Sequence, residues 1–184
     1  MRLIRSAELS KVPWANGQGI TRQIMIDPAD ANFDDFTWRV SSATIVEAGP
    51  FSLLPGIDRI LVVVSGHQLS LVVDDAHRDL ALHEVFSFKG EAEVHSVASC
   101  AFPVIDLNVM TRRGSASAHV AIIDTVANMS FHMPARGTHT LLVSLHQDST
   151  LNDCALDFLD CAILAEEESC TGVGTFAVIN IFDD

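Results

Sequence analysis

Five consecutive aliphatic residues, Ile60-Leu61-Val62-Val63-Val64, stand between two turn dipeptides, Pro55-Gly56 and Ser65-Gly66. One Ile and three Val make the run rich in β-branched side chains, which favours a strand over a short helix. An aliphatic run without alternation needs cover on both faces, as in a closed or sandwiched sheet. Immediately before it stands Asp58-Arg59, a charged pair at the mouth of a core element. A charge in that position has to be paired, solvated or used.

The remaining segments are read as material that closes a barrel around this strand. Residues 20–26 and 36–46 have strand character, with Trp38 and Val40 alternating with Arg39 and Ser41. Thr21 and Gln23 fall on one face of the first of these, Arg22 and Ile24 on the other. Further strands are expected at 68–73, 80–88, 120–124, 140–145, 156–164 and 176–182, with 94–101 less defined. In 103–110, Asp106, Asn108 and Met110 alternate with Ile105, Leu107 and Val109, so one face meets a core and the other meets polar surroundings. A short helix is considered only near 151–156, and the first twelve residues give one short strand or a helical turn. Many short strands punctuated by Gly, Pro, Asn and Asp indicate an all-β barrel or sandwich. The small residues 115–118 form the best internal boundary. A single domain spanning 1–184 is expected, with halves at about 13–114 and 115–184 and the N-terminal strand open to sharing between them.

Of the 184 residues, 48% are hydrophobic and 19% charged, which describes a compact chain with no disordered bulk. The start of the sequence lacks the apolar core of a secretory signal, and no apolar run approaches the roughly 18 residues that span a bilayer. A cytoplasmic protein without a membrane partner is therefore expected. Four cysteines at 100, 154, 161 and 170 have neither CxxC nor zinc-finger spacing and read as buried free thiols. The net charge of −13 argues against nucleic acid as a partner, because that binding needs a basic footprint. Yet nine of the eleven cations are arginine, the side chain whose planar fork suits a carboxylate or phosphate. An acidic protein with embedded arginines points to one small anionic metabolite.

Three segments in order carry a resemblance. Pro13-Trp14-Ala15-Asn16-Gly17-Gln18-Gly19-Ile20-Thr21-Arg22-Gln23-Ile24 is similar to PWKNGGGxTREI. Phe36-Thr37-Trp38-Arg39-Val40-Ser41, then Gly49-Pro50-Phe51-Ser52 and Pro55-Gly56-Ile57-Asp58-Arg59, match FxWRxS, GPFS and PGxDR. Asp106-Leu107-Asn108-Val109-Met110-Thr111-Arg112-Arg113-Gly114 matches DFNVMxRRG. Together they resemble the HutD/Ves family over residues 13–114; the last seventy residues match only in β character. Ala15 stands in place of Lys, Gln18 in place of Gly, and Cys100-Ala101 where Gly-Pro is common. The resemblance implies a bicupin, two small cupin-type β-barrels (double-stranded β-helices) packed in one chain. It also implies a binding protein for a small carboxylate such as N-formylglutamate, modulating histidine utilisation, while other members are described as stress-related.

A metal-dependent cupin gathers several His and a carboxylate, usually from an HxH pair. The eight histidines form no such pair, and residues 51–59, where a metal-type cupin carries them, contain none. Neither a metal nor another cofactor is expected. For anion binding the candidates are Arg39 and Ser41 on one strand face, Arg59 at the central strand, and Asp106, Asn108 and Met110 on another, with Asn16, Thr21 and Arg22 as rim and Arg112 beyond. The competing reading joins Asp58, Arg59, Asp106 and Arg112 in a buried ionic network. Nothing in the sequence forces an enzyme. The alternatives are an acid/base isomerase or hydrolase acting through Asp106 or a His, and an interaction or stress-response module without a metabolite. Sheet edges leave a homodimer open.

Overall fold

The computed structural model describes residues 1–14, 19–97, 103–132, 138–165 and 168–183. Among them the regular structure is almost wholly β. In chain order the strands are β1 (Arg2–Ile4), β2 (Lys11–Pro13), β3 (Gly19–Asp27), β4 (Trp38–Ile45), β5 (Gly49–Pro50), β6 (Ile57–Ser65), β7 (Gln68–Val73), β8 (Ala76–Ala81), β9 (Val85–Lys89), β10 (Val94–Val97) and β11 (Val104–Arg112). They continue as β12 (Ala116–His132), β13 (His139–Ser144), β14 (Ser149–Leu151), β15 (Cys154–Leu156), β16 (Cys161–Leu164) and β17 (Ser169–Asp183), with one 3-10 turn at Ser6–Glu8.

The chain divides into two compact units, Ser10–Ala116 and Met1–Leu9 with Ser117–Asp184. The first contains a six-stranded sheet in the order β2-β3-β4-β11-β6-β9 and a four-stranded sheet β5-β10-β7-β8. Its apolar core draws Ile45, Leu61, Val63 and Val104 from the larger sheet and Leu69, Leu71, Leu80 and Val94 from the smaller. Leu61, Leu71 and Leu80 are fully buried, each contributing roughly 1.5–3 kcal/mol by removal from water. The aliphatic run of β6 is covered on both faces, with Leu61, Val62 and Val63 fully buried. The second unit is a seven-stranded sheet in which β1 pairs with β16 at one edge and β12 pairs with β17. Its core includes Leu142, Leu151, Leu156, Leu164 and Phe176.

Four segments depart from the sequence reading. Residues 80–88 are two strands, because His83 adopts a left-handed backbone (φ 65) that turns the chain. Residues 156–164 break in the same way at Leu159 (φ 67). The helix considered near 151–156 is instead the hairpin of β14 and β15, turned by Asn152 and Asp153 in left-handed conformation (φ 46 and 62). Residues 116–118, read as a connector, already belong to β12.

Candidate functional site

β11 runs between β4 and β6, and its register aligns their polar side chains in rows. Met110 faces Arg39 on β4 and Arg59 on β6; Asn108 faces Ser41, and Asp106 faces Ala43. Neighbouring strands lie about 4.8 Å apart, so the two arginine backbones stand about 10 Å from each other across Met110. On β3, Thr21 and Gln23 continue the same face, and a bulge between Gln23 and Met25 re-phases the strand. Ile26 rather than Met25 therefore turns to this side, joining Thr21 and Gln23 on the wall of one cavity of about 650 Å³. That volume suits a small metabolite.

Arg59 is held on four sides. Its Nη2 donates to Asn108 Oδ1 at 3.1 Å and its Nη1 to the Ser52 carbonyl at 3.3 Å. Its Cζ lies 4.9 Å from the Phe88 ring centroid and 5.4 Å from that of Phe51, so the cation sits between two aromatic rings. Burial lowers its pKa to about 10; the Asp106 charge opposes that shift and Arg39 adds to it. Arg39 donates from Nε to Gln23 Oε1 at 3.0 Å, and its Cζ lies 5.4 Å from the Phe33 centroid. Burial lowers its pKa as well.

Asp106 is 1% exposed. Its Oδ1 accepts the Ala43 backbone N–H at 3.1 Å and Asn108 Nδ2 at 2.7 Å. Burial pushes its carboxyl up to about 7, against the Ala43 N–H, the Arg59 charge and the Asn108 amide, which all favour the ionised form. At neutral pH the floor thus carries two guanidinium charges and one carboxyl divided between its acid and its anion. The excess is positive, inside a chain whose net charge is −13.

The upper wall is formed by Val12, Trp14, Phe33, Phe51 and Leu54. Trp14 is fixed by its Nε1, which donates to Thr21 Oγ1 at 2.7 Å, and by a backbone bond to the Gly19 carbonyl. A Cβ at Gly19 would meet the Trp14 ring at 2.9 Å and the Thr44 carbonyl at 2.8 Å, so only glycine lets the indole close on the strand. Likewise a Cβ at Gly90 would collide with the Leu54 carbonyl, at the turn that sets this rim.

Seven of the ten residues singled out in the sequence border the cavity: Thr21, Arg39, Ser41, Arg59, Asp106, Asn108 and Met110. Arg22 does not; it lies on the other face of β3, with Nη1 3.4 Å from Thr44 Oγ1. Arg112 does not either. It donates to the Phe36 carbonyl at 2.9 Å and the Asp34 carbonyl at 2.8 Å, pinning the segment before β4. Asn16 lies outside the described residues, as do Ala15, Gln18, Cys100 and Ala101. The four-membered ionic network does not form as read, because Asp58 pairs with Arg113 at 2.9 Å. Arg113 also bridges to Glu91, whose Oε1 accepts the Gly56 N–H at 2.8 Å, so these charges lock the turn before β6. Gln23 and the aromatic residues at 14, 33, 51 and 88 were missed as site groups; for Gln23 the signal was present, in its shared face with Thr21.

A metal does not fit this donor set. Among the described residues the cavity wall offers one carboxylate and no histidine or cysteine, and its two cations would repel an ion. Among the described residues no three His, Cys, Asp or Glu side chains are grouped to hold one. Cys161 and Cys170 are buried, and burial pushes their thiols up to about 12 and about 11. No helix among the described residues is long and apolar enough to cross a membrane.

Comparison with known proteins places the chain. Protein Ves of Citrobacter koseri is 36% identical over 121 residues, which is 64% of this chain and 62% of that protein. The chain spans less than two thirds of the length of the curated relatives it matches. Among solved structures, HutD from Pseudomonas fluorescens SBW25 superposes with a TM-score of 0.85 at 25% identity, covering 100% of this chain and 98% of that one. A cupin 2 conserved barrel domain protein from Leptotrichia buccalis shares the fold, with a TM-score of 0.57 at 8% identity over 100% of this chain and 96% of that one. The family model described as HutD matches residues 6–178. With its cupin-type all-β fold, the chain belongs to the HutD family.

Proposed function

We propose that this protein binds a small carboxylate metabolite of the N-formylglutamate type in its polar cavity, and through that binding modulates histidine utilisation. The observation that carries the reading is the row Arg39–Met110–Arg59, two buried guanidinium groups facing one cavity with a single carboxyl beside them. Two desolvated cations of like charge raise each other's energy, and an anion relieves both. The aromatic wall suits the carbon skeleton of such a ligand, and membership of the HutD family supports the histidine link.

The test is a thermal-shift series with N-formylglutamate, glutarate, their neutral amides and divalent metals. At about 100 times its dissociation constant, a bound ligand stabilises by roughly 2.7 kcal/mol, a shift of several degrees. The dicarboxylates are expected to shift the protein, and Arg39→Gln is expected to remove the shift while the variant remains folded. Stabilisation by metals alone, or by the amides as strongly as by the acids, would overturn the reading.

One observation favours a second reading. A carboxyl held at about 7 in a cavity is poised for general acid/base work, as in an isomerase or hydrolase. Formation of a new species from N-formylglutamate, followed by proton NMR and lost in Asp106→Asn, would select it.

A further inference from the structure

Among the described residues the cavity wall contains a single acid, Asp106, on the same strand face as Met110, which the two cations flank. An anion drawn there by Arg39 and Arg59 meets the Asp106 carboxyl. Two ionised carboxylates at close quarters repel, and one of such a pair takes a proton. Resting on the reading above, we infer that Asp106 enters the complex as its neutral acid and donates a hydrogen bond from Oδ2 to the bound carboxylate, so that anion and proton bind together.

The hydrogen bonds leave this role to Oδ2. Oδ1 already accepts from the Ala43 N–H and Asn108 Nδ2, whereas Oδ2 has no protein partner among the described residues. Asn108 cannot take its place. Its Nδ2 is given to Asp106 and its Oδ1 accepts from Arg59, which fixes the amide in one orientation. Of the charged groups on the wall, Arg59 from β6 acts on Asp106, and Arg39 from β4 lines the same cavity beside Met110. β3 presents the uncharged Thr21 and Gln23, and the loops contribute Ser10, Asn32 and Ser52. No histidine, lysine or second acid lines the cavity among the described residues. Asp106 is thus the one wall group there that exchanges a proton near neutrality, since burial, against the Ala43 N–H, Arg59 and Asn108, has already brought it to about 7. The proton comes from solvent and returns to it on release, with no other bond made or broken.

The sign follows from linkage. A bound anion raises the Asp106 pKa above its free value, so affinity is greatest at and below neutral pH and declines as pH rises. The decline is at most about tenfold per pH unit, the limit for one proton. Titration calorimetry with glutarate at pH 8, in Tris and in triethanolamine, measures the protons taken up from the difference in buffer heat. Uptake of more than about half a proton is expected from the wild type. Asp106→Asn, whose amide also donates, is expected to bind glutarate with no uptake and with an affinity flat from pH 6.5 to 8.5. Wild-type binding without proton uptake, equally flat in pH, would overturn the inference while leaving carboxylate binding intact. No heat from the wild type at any pH would overturn both. Should Asp106→Asn not fold, the carboxyl carbon resonance of Asp106 in the wild type decides. A titration moved to higher pH by glutarate supports the inference, and an unmoved one sinks it.

Discussion

A primary amide can receive a proton from a guanidinium at one end while giving one to a carboxylate at the other, and Asn108 does both between Arg59 and Asp106. This is how two opposite charges share a buried floor without touching. Asp106 nevertheless carries a cost that depends on pH. Its carboxyl rises from an ordinary 3.8 to about 7 on folding, so the folded chain holds its proton where the unfolded chain has lost it. The stability this proton confers is complete below about pH 4 and is gone once pH has risen through 7. At pH 8 burial of the ionised group costs at most about 4 kcal/mol. Asp106→Asn is therefore expected to melt several degrees above the wild type at pH 8, with the gap closing toward pH 4; calorimetry across that range checks it. Much of this grid was legible beforehand, because alternation assigns Asp106, Asn108 and Met110 to one face. The fate of Arg112 was not. Its acceptors are backbone carbonyls of Asp34 and Phe36, and a carbonyl leaves no mark in sequence. The rings enclosing Arg59 come from a loop and an adjacent strand, a coincidence of tertiary structure that residue spacing does not encode.

Among the elements, β1 shows how a three-residue strand is retained. It pairs with β16 through Arg2↔Ile163, Leu3↔Ala162 and Ile4↔Cys161, too few bonds to hold an edge by themselves. Asp160, immediately before β16, completes the attachment. Its Oδ2 receives Arg5 Nη1 at 2.7 Å and the Asp157 N–H at 3.1 Å, while Oδ1 receives the Ser6 N–H at 2.7 Å. Burial works to raise its pKa, but these donors outweigh it and the carboxyl lies below its usual range. Its contribution is present above the ordinary carboxylate pKa and is lost as pH falls through the lowered one. Asp160→Ala is expected to cost about 1–2 kcal/mol, by leaving the half-exposed Arg5 and the Ser6 and Asp157 N–H groups without their acceptor, and to speed amide exchange at Leu3. Urea denaturation and hydrogen exchange measure the two effects. Element types were legible wherever alternation or an aliphatic run was long, as in β4 and β11 for the first and β6 for the second. Breaks within a run were not, since His83 and Leu159 carry none of the usual turn chemistry and take left-handed backbone under tertiary constraint. The bulge in β3 was equally silent, and it decides that Ile26 borders the cavity.

For the molecule as a whole, the net charge of −13 sets a long-range field opposed to the local field of the two arginines. The surface field is screened by salt, with a Debye length of about 10 Å at 0.1 M, whereas the buried pair is screened much less. The association rate of glutarate is accordingly expected to rise roughly twofold or more between 20 and 200 mM salt. Stopped-flow measurement checks this, and a falling rate would show that the arginines also govern the approach. The floor of the cavity is mounted on β11, bonded on both sides by β4 and β6. Asp106, Asn108 and Met110 therefore cannot leave their places unless the sheet itself comes apart. A damaging substitution elsewhere in this unit thins the population of folded molecules, while each survivor keeps the floor of its cavity unchanged. For such a protein dose and potency are separate quantities, and inherited variation outside the cavity acts on the first.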